Sequence, residues 1–150
     1  MRAVVQRVSE ASVRIEDEVR SSIRSGLLVL LAVEETDSDE DIEWLSGKIS
    51  RLRVFNDEAG VMNRSLQDVG GEALVVSQFT LFASTRKGNR PSYIRSARPE
   101  TAVPLYERFV ARFSQSIGKQ VLTGAFGANM SVTLTNDGPV TIIIDSKRRE

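Results

Sequence analysis

Three polar residues within an apolar run are the first place where this chain offers chemistry. Ala73 to Ala83 reads ALVVSQFTLFA, and Ser77, Gln78 and Thr80 interrupt it with two hydroxyls and an amide. A polar group inside a buried strand is costly unless it finds a hydrogen-bond partner, so these three either bond internally or line a pocket. If the run is one strand, Ser77, Phe79 and Leu81 share one face, and Gln78 and Thr80 share the other. The chain contains no histidine and no cysteine. That removes His-based triads, HExxH metal sites, thiol nucleophiles and thiolate zinc sites. A threonine hydroxyl with no adjacent base is a weak nucleophile. Any catalysis must therefore draw on carboxylates, hydroxyls, backbone amides or the substrate's own groups.

The charge changes just after that run. Between Glu72 and Glu100 there is no acidic residue, whereas Arg86, Lys87, Arg90, Arg95 and Arg98 are all basic. Twenty basic and twenty acidic residues cancel over the whole chain, which speaks against coating DNA or a membrane surface. One basic loop beside a polar-studded strand suits a phosphate-bearing ligand, although a solvated loop explains the same charges. Thr123 to Met130, TGAFGANM, is rich in small residues that permit close backbone approach to a ligand or to another subunit. Phe126 and Met130 within it read as core residues. Glu34 to Glu43 holds seven carboxylates and no base. It reads as a helix start rather than a metal site, with Asp37 as N-cap and Glu40 three residues on.

The elements that must position these residues follow from periodicity. A chain of 150 residues with 41% hydrophobic and 27% charged content fits one compact domain. Ala3 to Ile15 is predicted to be a long strand, turned at Glu16-Asp17-Glu18 into a second strand, Val19 to Ile23. Leu27 to Val33 is apolar throughout, which suits a strand buried on both faces. Ile42, Leu45, Ile49 and Leu52 recur at helical spacing. Val54 and Phe55 suggest a short strand, and Met62 to Gly71 reads as loop. A second helix has its buried face at Ala102, Leu105, Tyr106, Phe109, Phe113 and Ile117, and Gly118 ends it. Thr101 is its expected cap, since Pro104 would break a helix begun at Pro99. Met130 to Ile144, MSVTLTNDGPVTIII, predicts two strands joined as a hairpin by Asn136 to Pro139. Asp145 to Glu150 reads as a solvated tail. No apolar run reaches membrane-spanning length and the start carries no leader signature, so a soluble cytoplasmic protein is expected.

Taken together, these stretches resemble the bacterial type of the D-aminoacyl-tRNA deacylase family, from Met1 to Asp145. The resemblance rests on Val5-Gln6-Arg7-Val8, Ala11-Ser12-Val13, Gly26 to Leu31, Gly60-Val61-Met62-Asn63, Ser77 to Leu81, Gly88 to Ser92 and Asn136 to Thr141. Ser21, Ser25 and Ala32 stand where that family usually or frequently has glycine, which touches turn geometry rather than the site. The resemblance implies a single-domain, β-rich α/β fold, with mixed sheets in a barrel-like core and two main helices on one side. It implies a homodimer with active sites at the interface, acting on the ester of D-aminoacyl-tRNA at the 3′-terminal adenosine, with no cofactor and no metal.

By the same resemblance, Ser77, Gln78, Phe79 and Thr80 form the catalytic strand, with Leu81, Phe126, Ala128 and Met130 beside it. Gly138-Pro139 is expected to be cis and to reach into the partner's site as a chiral filter, oriented by Arg7. Arg86, Lys87 and Arg90 are the candidates for meeting tRNA. The resemblance gives the chemistry to the 2′-hydroxyl of the terminal adenosine rather than to Thr80. Backbone amides near Phe79 and Thr80 would then stabilise the oxyanion. A filter that excludes L side chains cannot exclude glycine, so glycyl-tRNA is an expected substrate. Two other readings stay open: an editing domain of the threonyl-tRNA synthetase type, and a tRNA-binding module without chemistry.

Overall fold

The long first strand, β1 (Arg2–Ile15), organises the molecule, which is described by a computed structural model covering all 150 residues. β2 (Glu18–Ile23) folds back on its C-terminal half through a tight turn in which Glu16 and Asp17 both have positive φ. β3 (Gly26–Ala32) pairs antiparallel with the N-terminal half. β6 (Glu72–Ser77) lies parallel to β3, with Leu31 opposite Ser77 as the last pair. β7 (Leu122–Thr123) lies parallel to β6. The Ser21 hydroxyl donates to the Thr123 carbonyl, so β2 and β7 meet and the mixed sheet nearly closes into a barrel. The predicted fold class is found.

Both faces of β3 are buried, as its unbroken apolar run requires. Leu27, Val29 and Leu31 face the helices, while Leu28 joins Val8, Val13, Leu74 and Val76 in a second cluster. The helical layer consists of α1 (Asp39–Arg51) and α3 (Pro99–Ile117). Ile42, Leu45 and Ile49 of α1, with Leu105, Phe109 and Phe113 of α3, supply its buried stripe. Complete burial of each such side chain contributes about 1.5–3 kcal/mol. No helix is long and apolar enough to cross a membrane.

Several sequence expectations need correction. Met62 to Gly71 is not loop throughout. β5 (Met62–Arg64) pairs with β4 (Phe55–Asn56), and α2 (Leu66–Val69) follows. The signal for α2 was present: the Ser65 amide donates to the Asp68 carboxylate, and the Asp68 amide donates to the Ser65 hydroxyl. The cap of α1 is Ser38, whose amide donates to Asp41 at 2.9 Å, rather than Asp37. Asp37 is drawn away by the buried Met1 ammonium and by the Glu34 amide. α3 begins at Pro99 with Arg98 as cap, not at Thr101. Glu35 explains this. One of its oxygens accepts from the Arg98 amide at 2.7 Å and the other from the Thr101 hydroxyl at 3.0 Å, which anchors the first turn. Pro104 then sits inside the helix on its exposed side.

The C-terminal residues are more than a solvated tail. Lys147 to Glu150 are exposed, but Ser146 is buried and accepts from the Met1 ammonium while donating to Asp41 at 2.6 Å. Burial alone would push the Asp41 carboxyl up. Hydrogen bonds from Lys147, Ser146 and the Ser38 amide outweigh it and hold the group at about 2. Six of the seven acidic residues of the segment meet cations: Glu34 with Arg95, Asp37 with Met1, Asp39 with Arg108, Glu40 with Arg149, Asp41 with Lys147, Glu43 with Arg112.

The predicted hairpin is the largest correction. Ser131 to Asp145 is a single strand, β8, running antiparallel to β1 along its whole length. Ser131 to Asn136 pairs with Arg14 to Val8, and Thr141 to Asp145 pairs with Gln6 to Arg2. The chain keeps its direction through Asn-Asp-Gly-Pro, because β1 offers one continuous template on both sides of that sequence.

Candidate active site

Between Asn136 and Thr141, β8 takes five steps while β1 takes two, from Val8 to Gln6, so three surplus residues loop outward. Asn136 closes the neck of this loop. Its side-chain oxygen accepts from the Val140 amide at 2.9 Å and its nitrogen donates to the Thr141 hydroxyl at 3.1 Å. Asp137, Gly138 and Pro139 are exposed. The Gly138–Pro139 peptide is cis, as the resemblance implies, and Gly138 has a φ of 139° that favours glycine.

Arg7, the residue opposite the loop, is buried and supports it from below. Its Nε donates to the Asp137 carbonyl at 2.9 Å, and its Nη1 donates to the Val54 carbonyl at 2.6 Å. A guanidinium can hold two such acceptors at once because its donors are fixed in a plane. A Cβ on Gly138 would lie 3.1 Å from Arg7 Nη2 and 2.8 Å from a Val140 methyl, so the loop packs directly on its support.

The polar run at the end of β6 does not alternate as a strand. The ladder ends where β3 ends, the last rung being the Gln78 amide on the Leu31 carbonyl at 2.7 Å. With no strand left to pair with, Phe79 to Phe82 winds into a short 3₁₀ turn. The faces expected from alternation are therefore not formed. Instead, the Gln78 side chain donates to the Thr80 hydroxyl, and the Phe79 ring turns outward. The amides of Phe79 and Thr80 head this turn, where the first N–H groups have no partner within it.

The turn is clamped by residues that the sequence reading did not single out for this purpose. Arg2 donates to the Leu81 carbonyl at 2.9 Å. The guanidinium groups of Arg2 and Arg95 lie 4.7 and 5.3 Å from the centre of the buried Phe82 ring, held by Asp145 and Glu34 respectively. Ser96 donates to the Phe79 carbonyl at 2.8 Å, and Tyr93 meets the Phe79 ring edge-on at 5.1 Å.

Other predicted site residues divide. Phe126 stacks edge-on against Tyr106, whose hydroxyl donates to the Val75 carbonyl and whose phenol is pushed up to about 12 by burial. Met130 packs on the opposite cluster, against Gly124 and close to Val13. The Ala128 amide donates to the Ala125 carbonyl, closing the turn between them. Arg86, Lys87 and Arg90 are exposed, and of the five basic residues only Arg95 is in an ion pair. Within one chain Arg7 and the Gly138-Pro139 loop are joined, as are Ser77 to Leu81. No hydrogen bond or ion pair connects the loop with Ser77 to Leu81.

The fold and site thus define a small barrel-like α/β protein without histidine or cysteine, built around a supported loop and a clamped turn. Its residues 4–145 match the family described as D-Tyr-tRNA(Tyr) deacylase, and the chain belongs to that family. It is 61% identical over the full length of both chains to a D-aminoacyl-tRNA deacylase of Bacteroides thetaiotaomicron and, equally, to one of Cytophaga hutchinsonii. A solved structure of a c-Myc DNA unwinding element binding protein superposes with a TM-score of 0.92. It is 40% identical, and the match covers 97% of this chain and 98% of that one. A probable eukaryotic D-amino acid tRNA deacylase superposes at 0.83 with 17% identity, covering 95% and 97%, which shows a shared fold.

Proposed function

We propose that this protein hydrolyses the ester joining a D-amino acid to the 3′-terminal adenosine of tRNA. It does so as a homodimer in which each subunit lends its Asp137 to Val140 loop to the other's Ser77 to Leu81 turn. The observation that carries this reading is the exposed Gly138-Pro139 pair held by the buried Arg7 in a chain of the deacylase family. A buried guanidinium is costly unless its donors are used, and here they hold the loop. The loop's hydrogen bonds and its ion pair run only to its own neck and to Arg7, which leaves its outer face for a partner.

A second subunit is supported by the free edge of β8. β8 pairs with β1 alone, and Ile143 on it is 71% exposed. An unpaired edge with an apolar residue is the surface that association covers.

In the proposed reaction the protein positions the ester and an attacking water. Amides near Phe79 and Thr80 stabilise the oxyanion, and the substrate's 2′-hydroxyl assists proton transfer in place of the absent histidine. The Gly138 and Pro139 carbonyls accept from the α-ammonium and crowd the position of an L side chain. Glycine carries no such side chain, so glycyl-tRNA is also cleaved. The test is deacylation of D-Tyr-, L-Tyr- and Gly-tRNA by the purified protein, with its mass measured by sedimentation. Cleavage of the D and glycyl esters alone is expected. Equal rates on D and L esters overturn the filter, tRNA binding without hydrolysis overturns the enzyme, and a stable active monomer overturns the shared site.

A further inference from the structure

We infer that Tyr93 and Ile94 form a stacking platform for the unpaired nucleotides that precede the terminal adenosine of the substrate RNA. The inference rests on the proposed function and extends its site in one direction. Phe79 is 53% exposed, Tyr93 39% and Ile94 88%; Tyr93 meets the Phe79 ring and lines a groove together with Ile94, so an apolar step leads away from the clamped turn. The Phe79 and Tyr93 rings meet at 72°, with Ser96 bonded to the Phe79 carbonyl just beyond. The platform is therefore fixed to the site rather than attached to it by a mobile segment.

An open groove of about 780 Å³ lies beside this step, lined by Tyr93, Ile94, Ser96, Arg98 and Thr101 together with the carboxylates Glu35 and Glu100. Both Glu35 oxygens are taken by the Arg98 amide and the Thr101 hydroxyl, and these bonds hold its carboxyl below the usual range. On the other side of Tyr93, paired backbone bonds between Ser84 and Ser92 pinch off the loop that carries Arg86, Lys87 and Arg90. None of those three cations is in an ion pair, and no acidic residue occurs from Ala73 to Pro99.

Exposed rings beside unneutralised cations are the combination that single-stranded RNA uses, its bases stacking on the apolar step while its phosphates meet the charges. A substrate whose terminal adenosine is held at Phe79 continues as single strand before its duplex begins. The next two nucleotides cross surface that adjoins Phe79, where Tyr93 meets the Phe79 ring and Ile94 shares a groove with Tyr93.

The test compares a D-tyrosyl ester of adenosine with the same ester on the trinucleotide cytidylyl-cytidylyl-adenosine, using wild type, Ile94→Ser and Tyr93→Leu. Loss of a stacking surface is expected to raise KM for the trinucleotide ester about three- to tenfold in Ile94→Ser, with kcat unchanged. The ratio of kcat/KM between the two esters falls accordingly. An unchanged ratio overturns the platform. So does dissociation of Ile94→Ser into monomers, which assigns Ile94 to a second copy of the chain. If wild type cleaves neither ester, the deacylase reading has failed on its own. Binding of the unacylated trinucleotide, followed by NMR shifts, then decides the platform: shifts at Tyr93 and Ile94 that weaken in Ile94→Ser sustain it, and their absence overturns it.

Discussion

Arg7 and Asp137 face each other across the widest gap in the β1–β8 ladder, and the arginine fills that gap with a hydrogen bond to the aspartate's carbonyl rather than its carboxylate. The carbonyl bond is 2.9 Å, whereas the Asp137 carboxylate is 3.5 Å away and 57% exposed, so the ion pair adds little. Arg7→Lys keeps the charge but cannot hold the Asp137 and Val54 carbonyls together. Displacement of the loop by even an ångström is expected to lower kcat/KM on D-Tyr-tRNA roughly 10- to 100-fold. Steady-state kinetics beside a thermal melt separate this from unfolding: the expected result is a large rate loss with a small shift in melting temperature.

Thr80 accepts a hydrogen bond from Gln78 and has no base beside it. Thr80→Ala is expected to retain turnover within about tenfold of wild type, because neither a covalent nucleophile nor a general base is removed. Near-complete loss of turnover with tRNA binding intact would show that the hydroxyl attacks the ester.

Most of the fold was legible in the sequence because its elements obey local rules. The apolar run of β3, the stripe of α1 and the buried face of α3 lie where their periods place them. What was not legible depended on partners distant in sequence. Nothing near Gln78 announces that β3 stops opposite Ser77, yet that ending converts a strand into a 3₁₀ turn. Nothing near Asp137 announces that β1 continues past the loop as a template. The cap of α3 moved from Thr101 to Arg98 because Glu35, over sixty residues away, reached it. Arg7 entered through the resemblance alone, since a single arginine in a strand carries no local signal of the two carbonyls it serves.

Gly26 and Gly124 should respond to an added methyl group to different degrees. A Cβ at Gly26 would strike the backbone carbonyl of Glu72, at the first pair of the parallel β3–β6 ladder, where nothing can yield. At Gly124 it would meet the sulfur end of Met130, a flexible side chain. Gly26→Ala is expected to give insoluble protein or a loss of several kcal/mol, and Gly124→Ala about 1–3 kcal/mol, as urea titration would measure.

Asp41 is held at about 2, below its ordinary 3.8. The stabilisation is therefore complete above about pH 4 and is lost as the pH falls toward 2; its size is on the order of 2 kcal/mol. Asp41→Asn should lower the urea midpoint at neutral pH, and the gap to wild type should narrow between pH 4 and 2. A constant gap over that range would show that Asp41 acts through shape rather than charge.

The three surplus residues of β8 divide the molecule into scaffold and tool. Excising Asp137 to Pro139 would leave Val140 opposite Arg7, between the existing Asn136–Val8 and Thr141–Gln6 pairs, and so restore an unbroken ladder. The ladder itself has no need of the loop, although excision also removes the Asp137 carbonyl to which the buried Arg7 donates, so some stability is lost with it. Such a shortened chain should fold and lack the proposed filter, which makes it a natural starting frame on which loops of other composition could be grafted to select other esters.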